Sequence, residues 1–442
     1  MLLEIADVVI KNGHVIDPAN GIDGVTEVAM KDGKIMAVGD NLEFQHEPLQ
    51  VFDAKGCLVM PGLIDMHTHV YQYATPLGVN ADETCLSRGV TTVVDAGSAG
   101  ATTFQGLCKY VAEKSQTRVF AFVHVANHGL SSAGCTKEGF STCSVIHINQ
   151  IIGHNREWGA HSSEEGSQKH PLTEIFTVGV KVRLSWHVSN NGANELESYR
   201  RALAASKKAR VPLMVHHAIS TIPTDDIAGH DGLSCPGSLM KGDIYTHCFS
   251  GFNGTIIDPA TKQIYSSVLA AHNRGVIFDV GHGRGSFSWT VAELCASQDF
   301  WPDVISTDLH VDCQKGPAYD LPTVMTKMLH VGMPLNEIIK AVTITPATVI
   351  GWGDTIGSLS KTKVADVTVL REEACSIKME DSQGQVRTVE KRLVPVAVWR
   401  KGEQHQISME DVIPCHNIEA LYMDWDKLVV KDKQNPQKEN LS

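Results

Sequence analysis

The sequence predicts an α/β fold: a (β/α)8 barrel of the TIM type, together with a small β-sandwich domain built from both chain ends. Apolar, strand-like segments alternate with helical segments through the middle of the chain, and this alternation is typical of a parallel sheet. Eight such segments occur, most of them starting roughly 30 residues after the previous one, and eight repeats predict a closed barrel. Short strands with turn signals between them occupy the two ends of the chain.

The N-terminal residues predict short antiparallel strands. Asn12-Gly13 and Asp32-Gly33 each separate two apolar segments, and such dipeptides are the typical turns of β-hairpins. A meander of little more than fifty residues buries too little apolar surface to fold alone. We therefore expect two strands near the other end of the chain, Ala365–Leu370 and Val394–Arg400, to complete it. The resulting discontinuous sandwich domain would comprise residues 1–60 and 356–415.

The barrel domain is predicted to span residues 61–355. Its eight strands are expected at Leu63–Val70, Val90–Gly97, Val119–Ala126, Thr177–Ser185, Val211–Ala218, Asp243–Ser250, Val276–Gly283 and Asp303–His310. A polar insertion, Gly129–Pro171, separates the third strand from the fourth, and a helical stretch, Tyr319–Ile350, follows the eighth. An open doubly wound sheet is the alternative, but no Gly-x-Gly-x-x-Gly turn follows the first strand to favour it. Residues 416–442 are expected to form a C-terminal helix, over Ile418–Val429, and a polar tail.

Composition restricts the partners and the compartment. The net charge of −12 disfavours nucleic acid and anionic membranes, which attract clustered lysine and arginine. The eleven cysteines are scattered and contain no Cys-x-x-Cys pair, which favours reduced thiols and a cytoplasmic location. The N-terminus lacks a basic leader, and no segment approaches the ~20 apolar residues that span a bilayer. We expect a small-molecule substrate and neither a nucleic acid nor a membrane as partner.

Histidines at the predicted strand ends point to a metal site. His67 and His69 are two residues apart, so in a strand both imidazoles face the same side, and neutral imidazole is a good zinc ligand. Ordinary polar residues at a strand end are the alternative interpretation. His216, His247 and Asp308 end the fifth, sixth and eighth predicted strands. In a barrel those ends meet at one mouth, which favours a single site.

The fourth predicted strand contributes Lys181 inside an apolar segment. Burying a lysine is costly unless it is paired, so one interpretation is a lysine in a salt bridge with a neighbour. The other is a lysine carbamylated by CO₂, whose anionic oxygens can bridge two metal ions. The residues alone leave both open.

This order of ligands resembles the amidohydrolase superfamily. The resemblance rests on His-x-His, Lys, His, His and Asp on strands one, four, five, six and eight, and on the segment Pro61-Gly62-Leu63-Ile64-Asp65. It extends from the first strand to about Gln406. Three further segments resemble the deacetylase branch, which is often labelled dihydroorotase; they are Gly179-Val180-Lys181-Val182-Arg183, Thr246-His247-Cys248-Phe249-Ser250-Gly251 and Asp279-Val280-Gly281-His282-Gly283.

The resemblance implies two Zn²⁺ ions per chain. His67, His69 and Asp308 would bind the more buried ion, His216 and His247 would bind the second, and carbamylated Lys181 would bridge them. The implied activity is that of a binuclear zinc-dependent hydrolase that cleaves an acyl group, acetyl above all, from a small amide or ester by attack of a metal-bridging hydroxide. We expect Asp308 to be the base that takes the hydroxide's proton and returns it to the leaving group, with a ligand-only role as the alternative.

Three residues are candidates for substrate binding. Arg183 follows Lys181 by two residues on the same strand face, and could bind a substrate carboxylate or pair with a structural acid. Tyr71 and His282 are the other two, as walls or supporting groups, and Asn127 and His128 could line the mouth. Related dihydroorotases follow His-x-His with Phe-Arg, and that arginine holds the substrate carboxylate.

Here His69 is followed by Val70-Tyr71-Gln72, and tyrosine cannot replace a planar two-pronged donor. Dihydroorotate is therefore disfavoured. The alternatives to a deacetylase are a cyclic-amide hydrolase of the dihydroorotase or hydantoinase type and a non-catalytic scaffold on the same fold, although all six ligand positions are filled. Related barrels often form homo-oligomers, so an oligomer of this chain is a further possibility.

Overall fold

The structure is a computed structural model that describes residues 3, 5–132, 134, 136, 144–152, 177–225 and 232–408. Within them, two sheets are formed, one from both chain ends and one from the middle of the chain. Most of the predicted insertion Gly129–Pro171 lies outside the described residues. So do the predicted C-terminal helix Ile418–Val429 and the rest of 416–442.

The N-terminal strands are β1 Val8–Asp17, β2 Ile22–Lys31, β3 Lys34–Gly39, β4 Gln50–Asp53 and β5 Leu58–Pro61. The hairpin at Asp32-Gly33 is confirmed: both residues have positive φ, 50° and 71°, as a two-residue type I′ turn requires. The predicted turn at Asn12-Gly13 is wrong. Asn12 does take a left-handed φ of 61°, but it forms a bulge inside the continuous strand β1. The dipeptide signals positive φ, and a bulge uses that conformation as well as a turn does.

The middle of the chain forms a curled sheet of seven parallel strands in sequence order. They are β6 Leu63–Thr68, β7 Val90–Gly100, β8 Arg118–His124, β9 Thr177–Leu184, β10 Leu213–His217, β11 Ile244–Thr246 and β12 Ile277–Asp279. Seven of the eight predicted strands are therefore present, although most end earlier than predicted. β11 stops at Thr246 because His247 takes a φ of 71°, which an extended strand does not allow.

The eighth predicted strand, Asp303–His310, does not form a continuous ladder. It makes two isolated parallel bridges, Asp279 with Val304 and Thr68 with Leu309, and so contacts both edge strands of the curled sheet. Two local features interrupt the ladder. The Thr307 amide donates to the Asp65 carboxylate at 3.1 Å instead of to a neighbouring strand, and Asp308 has a φ of 49°.

Helices connect the strands. They are α1 Ala81–Thr84, α2 Phe104–Leu107, α3 over residues 145–152, α4 Glu195–Ala209, α5 Ser266–Arg274, α6 Trp289–Ala296, α7 Leu321–Val331, α8 Leu335–Ala341 and α9 Ile344–Val349. The predicted helical stretch Tyr319–Ile350 is thus three short helices. α7 ends at Gly332, which takes the left-handed conformation with a φ of 104°, as helix-terminating glycines commonly do. None of the helices in the described ranges is long and apolar enough to cross a membrane.

The remaining strands return the chain to the first sheet. They are β13 Val367–Glu380, β14 Val386–Arg400 and β15 Glu403–His405, and the sheet order is β15-β14-β13-β5-β1-β2-β3, with β4 beside β1. Strands from both ends of the chain therefore pair directly, as β13 does with β5. The long β13–β14 hairpin also reaches the curled sheet's side of the molecule, where Trp289 Nε1 donates to the Met379 carbonyl at 3.2 Å.

Candidate metal centre

Six side chains predicted as metal ligands meet at the carboxyl ends of the curled sheet's strands. His67 Nε2 lies 3.2 Å from Asp308 Oδ1, and His69 Nε2 lies 3.0 Å from the same oxygen. The ligand atoms of these three residues all lie within 4.8 Å of one another, and all three side chains are buried. Such a cluster has the composition and spacing of a metal site.

The other three predicted ligands adjoin this cluster. Lys181 Nζ lies 3.2 Å from His67 Nε2. His247 Nε2 lies 2.7 Å from His216 Nδ1, and the rings of His67 and His247 have centroids 5.2 Å apart. Residues from five segments far apart in sequence therefore surround one small volume. The structure brings all six together.

Hydrogen bonds on the outer nitrogens fix which nitrogen of each imidazole faces inward. His247 Nδ1 contacts the Gly281 carbonyl at 2.6 Å, and a carbonyl only accepts, so Nδ1 carries the proton. His67 Nδ1 lies 2.9 Å from Thr246 Oγ1, whose own proton goes to the Asp279 carboxylate at 2.6 Å. His67 Nδ1 must then be the donor. In both rings the Nε2 lone pair is left facing the centre, as metal binding requires.

The remaining two imidazoles are also held from outside. His69 Nδ1 lies 3.1 Å from Ser98 Oγ, which leaves Nε2 toward Asp308. His216 is the exception in orientation: its Nε2 lies 3.3 Å from Ser185 Oγ, so Nδ1 faces inward. Each imidazole of the cluster thus has one nitrogen bonded to the protein and one turned to the common volume.

Lys181 is unusual in its burial. Only 3% of the residue is exposed, and burial lowers the pKa of its amine to about 7, even though the carboxylates of Asp308 and Asp279 act in the opposite direction. Its side chain lies against Gly97, where an added Cβ would come within 2.8 Å of Lys181 Cγ. Gly97 also has a φ of 88°, so both space and backbone require glycine there.

Asp308 is buried and ionised. Burial acts to raise the pKa of its carboxyl, but the imidazoles of His67 and His69 hold that pKa well below its ordinary value. Its φ of 49° is uncommon for a residue other than glycine, and such conformations cluster at functional sites.

A two-chambered cavity adjoins the cluster. The inner chamber, of about 70 Å³, is lined by five of the six predicted ligands, by His124 and by the apolar residues Leu77, Ala96 and Leu130, among others. The outer chamber, of about 160 Å³, is lined in part by Arg183, Arg284, His310 and Asp312. Arg183, His216 and Asp308 line both chambers, so the two are adjacent. A larger cavity of about 400 Å³ lies between α7 and the β13–β14 hairpin and contains none of the six ligands.

The predicted substrate-binding residues differ in position. Arg183 lines both chambers. Tyr71 does not border either chamber; its hydroxyl donates to the Thr103 carbonyl at 3.2 Å and its ring packs in the core. His282 is fully buried: Nδ1 lies 2.9 Å from the Gly283 carbonyl and Nε2 lies 2.9 Å from Lys327 Nζ. The structure therefore brings Arg183, and neither Tyr71 nor His282, to the cavity wall.

Several cavity residues were not predicted from the sequence. His124 at the end of β8, Arg284 and His310 are among them. Asn127 and His128, which were predicted to line the mouth, do not border the two chambers, and His128 is exposed. His124 carried a usable signal, because it stands near the end of the third predicted strand, where the other strands place their ligands. Arg284 lies in a loop, where no periodic pattern marks a side chain's direction.

Comparison with known proteins identifies relatives over most of the chain. Two family models, both described as "Amidohydrolase family", match residues 50–155 and 289–404. A deacetylase of Agrobacterium fabrum is 33% identical over 364 residues, which is 82% of this chain and 82% of that protein. A deacetylase of Enterococcus faecalis is 30% identical over 394 residues, covering 88% of this chain and 96% of that protein.

Solved structures give the same result. The crystal structure of an adenine deaminase superimposes with a TM-score of 0.78 at 29% identity, covering 91% of this chain and 100% of that one. The crystal structure of a dihydroorotase superimposes with a TM-score of 0.76, also at 29% identity, covering 91% and 98%. The similarity therefore extends over both sheets.

Proposed function

We infer that this chain, which belongs to the amidohydrolase family, is a binuclear zinc-dependent hydrolase that removes an acyl group, acetyl above all, from a small amide or ester. The family and its deacetylase-named relatives make the chain a hydrolase, so the non-catalytic scaffold is set aside. The observation that carries the finer proposal is the convergence of His67, His69 and Asp308 on one point, with Lys181, His216 and His247 beside it.

The residues fit a zinc pair by their chemistry. Imidazole nitrogen and carboxylate oxygen are typical zinc ligands, and the outer hydrogen bonds leave a lone pair of His67 and His247 directed inward. We propose that His67, His69 and Asp308 hold one ion, that His216 and His247 hold the second, and that carbamylated Lys181 bridges them. When bound, the zinc pair supplies a hydroxide nucleophile near neutral pH and polarises the substrate carbonyl.

The carbamate on Lys181 is supported by the chemistry of its amine. Burial holds the pKa of the amine at about 7, so a neutral amine is available near neutral pH to attack CO₂. A nitrogen–carbon bond forms, the nitrogen loses a proton, and the side chain becomes an anion. We expect ¹³C-labelled bicarbonate to give a carbamate signal in the NMR spectrum of the zinc-loaded protein, and Lys181→Met to lack it. A wild-type spectrum without that signal would contradict the bridge.

Asp308 is proposed as the proton carrier of the reaction. It lines both chambers and is ionised, because His67 and His69 hold its pKa well below the ordinary value. It can therefore accept a proton and return it to the leaving group. We expect Asp308→Asn to lower kcat by about 10²–10⁴-fold, the usual contribution of a positioned acid–base group. Zinc content should stay near that of the wild type, and retained activity would remove Asp308 from this role.

The outer chamber favours an acidic substrate. Arg183 and Arg284 both line it, and a guanidinium recognises a carboxylate through two parallel hydrogen bonds. We propose that the substrate is an acylated amino or hydroxy acid, with its acyl group in the inner chamber and its carboxylate toward these arginines. Tyr71 and His282 are proposed only as supporting groups behind the wall.

A screen of acylated acids tests the proposed function. The zinc-loaded protein should release acetate from at least one N-acetyl amino acid or O-acetyl hydroxy acid, and Arg284→Met should raise KM for that substrate. A cyclic-amide hydrolase is the second candidate, favoured by the structural match to a dihydroorotase, so dihydroorotate and hydantoin belong in the same screen. Turnover of the cyclic amides alone would replace the deacylase proposal with the second candidate.

Two features of the fold complete the proposal. We propose that Asp303–His310 closes the curled sheet into an eight-membered barrel, supported by its bridges to both edge strands, and that the sheet from the chain ends belongs to a small sandwich domain. The predicted boundaries, residues 1–60 with 356–415, 61–355 and 416–442, stay predictions. So do the cytoplasmic location, the homo-oligomer and the lack of a nucleic acid or membrane partner.

A further inference from the structure

We infer that His124 donates a hydrogen bond from Nε2 to an oxygen of the acyl group bound in the inner chamber. The inference rests on the proposed function, because it names a contact of that same substrate. His124 ends β8, is 1% exposed and lines the inner chamber with the predicted ligands. It stands opposite Lys181 in the register of β8 and β9, so its ring faces the same side of the sheet.

The proton of His124 is located by a backbone hydrogen bond. The Ala126 amide donates to Nδ1 at 2.9 Å. A backbone N–H can only donate, so Nδ1 must present its lone pair and cannot carry a proton. The ring is therefore neutral in this arrangement, and its single N–H is on Nε2.

That N–H is a buried donor in need of an acceptor. Nε2 has no hydrogen-bond partner among the described residues, although most buried polar groups in proteins are paired. An unpaired buried donor destabilises the folded protein unless something else satisfies it. In a substrate chamber, the acceptor that arrives with the ligand is the natural candidate.

The rest of the chamber indicates which acceptor this is. Leu77, Ala96 and Leu130 supply apolar surface, which suits the carbon end of a short acyl group, while its carbonyl oxygen is an acceptor that offers no proton. A carbamate on Lys181 is the competing acceptor. The Lys181 amine lies 3.2 Å from His67 Nε2, among the predicted ligands, and in the proposed centre a carbamate formed there would bind the metal ions. The acyl oxygen is therefore the acceptor that we assign to His124.

Three variants in the zinc-loaded full chain test the contact. His124→Phe removes the donor, and His124→Gln places an amide N–H near the position of Nε2. His128→Phe is the matched control in the loop that follows β8, since His128 is exposed. We expect His124→Phe to lower kcat by about 10²-fold, as the loss of one donor to a developing charge does. His124→Gln should recover part of the loss, and His128→Phe should match the wild type. Zinc content should be equal in all four proteins.

A second readout does not depend on turnover. The histidine side-chain ¹⁵N spectrum of the wild type should show a neutral His124 ring protonated on Nε2, and titration with acetate, the acyl product of the proposed reaction, should shift that N–H signal. His124→Phe should bind acetate more weakly than His128→Phe does. Unchanged kcat in His124→Phe, or loss of zinc from it, would overturn the inference, and the second result would assign His124 to the carbamate instead. If the wild type cleaves no acyl substrate, the proposed function fails, while the acetate titration still decides the His124 contact.

Discussion

At the scale of single residues, the cluster depends on groups that hold the ligands in position. Gly283 is one of them: it has a φ of 53°, and an added Cβ would come within 2.4 Å of Asp308 Oδ2. Thr246 is another, because it accepts from His67 Nδ1 and donates to Asp279. Gly283 leaves room for the Asp308 carboxylate, and Thr246 fixes which nitrogen of His67 carries the proton. Neither binds metal in the proposed centre, so their effects can be separated from loss of a ligand.

Gly283→Ala should lower kcat/KM by at least about tenfold, because a misplaced catalytic group commonly costs that much or more. The added methyl would displace Asp308 Oδ2, and the left-handed backbone would cost roughly 1–2 kcal/mol of stability. Gly332→Ala is the matched control, since Gly332 also has positive φ but nothing lies within 4 Å of its added Cβ. The control should lose similar stability and no activity. Equal activity in the two variants would contradict the steric role of Gly283.

Thr246→Val should weaken zinc binding by about 10–100-fold, the usual effect of removing a group that orients a metal-binding histidine. The valine methyl cannot accept the His67 Nδ1 proton or donate to Asp279. Zinc affinity measured by competition with a chelator checks this. Thr348→Val is the control, since the Thr348 hydroxyl donates to the Ile344 carbonyl within α9. Unchanged affinity in Thr246→Val would show that the hydroxyl does not orient His67.

At the scale of elements, buried polar groups fasten helices to the loops at the strand ends. Glu195, the first residue of α4, is fully buried and accepts from the Thr221 amide at 2.6 Å. Thr221 lies in the loop that follows β10, the strand that carries His216. Burial raises the pKa of Glu195 above its ordinary value, against the hydrogen bonds from Thr221. The position of this loop is therefore linked to a carboxyl that titrates differently in the folded and unfolded chains.

Compared with the wild type, the Glu195→Gln variant should become more stable as the pH rises. The native carboxyl holds its proton more tightly than the unfolded one. Its favourable contribution is therefore complete below the unfolded pKa and is lost as the pH rises through the folded pKa. Glutamine does not ionise. Denaturant unfolding at pH values of about 4 and 7 should show that the free energy of unfolding of the variant, minus that of the wild type, increases with pH.

The control for this pH effect lies on the same helix. Glu197 pairs with Arg201 at 2.9 Å on the partly exposed side of α4, and an exposed pair contributes only about 0.2–1 kcal/mol. Glu197→Gln should therefore change stability little at either pH. If the free energy of unfolding of Glu195→Gln, minus that of the wild type, fell as the pH rises, the raised pKa of Glu195 would be contradicted.

The sequence predicted elements well where periodicity and spacing reflect burial. Seven strands of the curled sheet and the pairing of the two chain ends followed from apolar segments. The convergence of the histidines and Asp308 followed from their places at strand ends, and Lys181 was added to them by the resemblance to the amidohydrolase superfamily. The Asn12-Gly13 turn was wrong because left-handed backbone serves bulges and turns alike. The break in Asp303–His310 could not be foreseen, since it depends on Asp65, a residue far away in sequence. For the same reason, no pattern marked His282 as a partner of Lys327 or Arg284 as a wall of the cavity.

At the scale of the whole molecule, buried charges join the two sheets. Arg118, the first residue of β8, forms a buried salt bridge with Asp366, which immediately precedes β13. Lys327 of α7 donates to the Glu380 carbonyl of β13 at 2.6 Å and lies 2.9 Å from His282 Nε2. These contacts connect the sheet from the chain ends to the curled sheet and to α7. Loss of these contacts should lower the free energy of unfolding more than it lowers kcat.

Asp366→Asn should lower the free energy of unfolding by about 3–5 kcal/mol, because it leaves the Arg118 guanidinium buried without its carboxylate. Glu293→Gln breaks the more exposed pair between Glu293 and Arg387 and should cost less than about 1 kcal/mol. Denaturant unfolding compares the two variants. At a temperature where both are folded, kcat should match the wild type in both. Equal stability losses would contradict a buried link between the sheets.

The most direct test of the metal centre is the number of zinc ions per folded chain. Elemental analysis after zinc loading and dialysis should find about two ions in the wild type, and about one in a His216→Ala, His247→Ala double variant that keeps His67, His69 and Asp308. The proposed function predicts acyl hydrolysis only in the protein with two. A wild-type chain that retains no zinc, or a double variant that retains as much as the wild type, would contradict the assignment of these six residues to a metal pair.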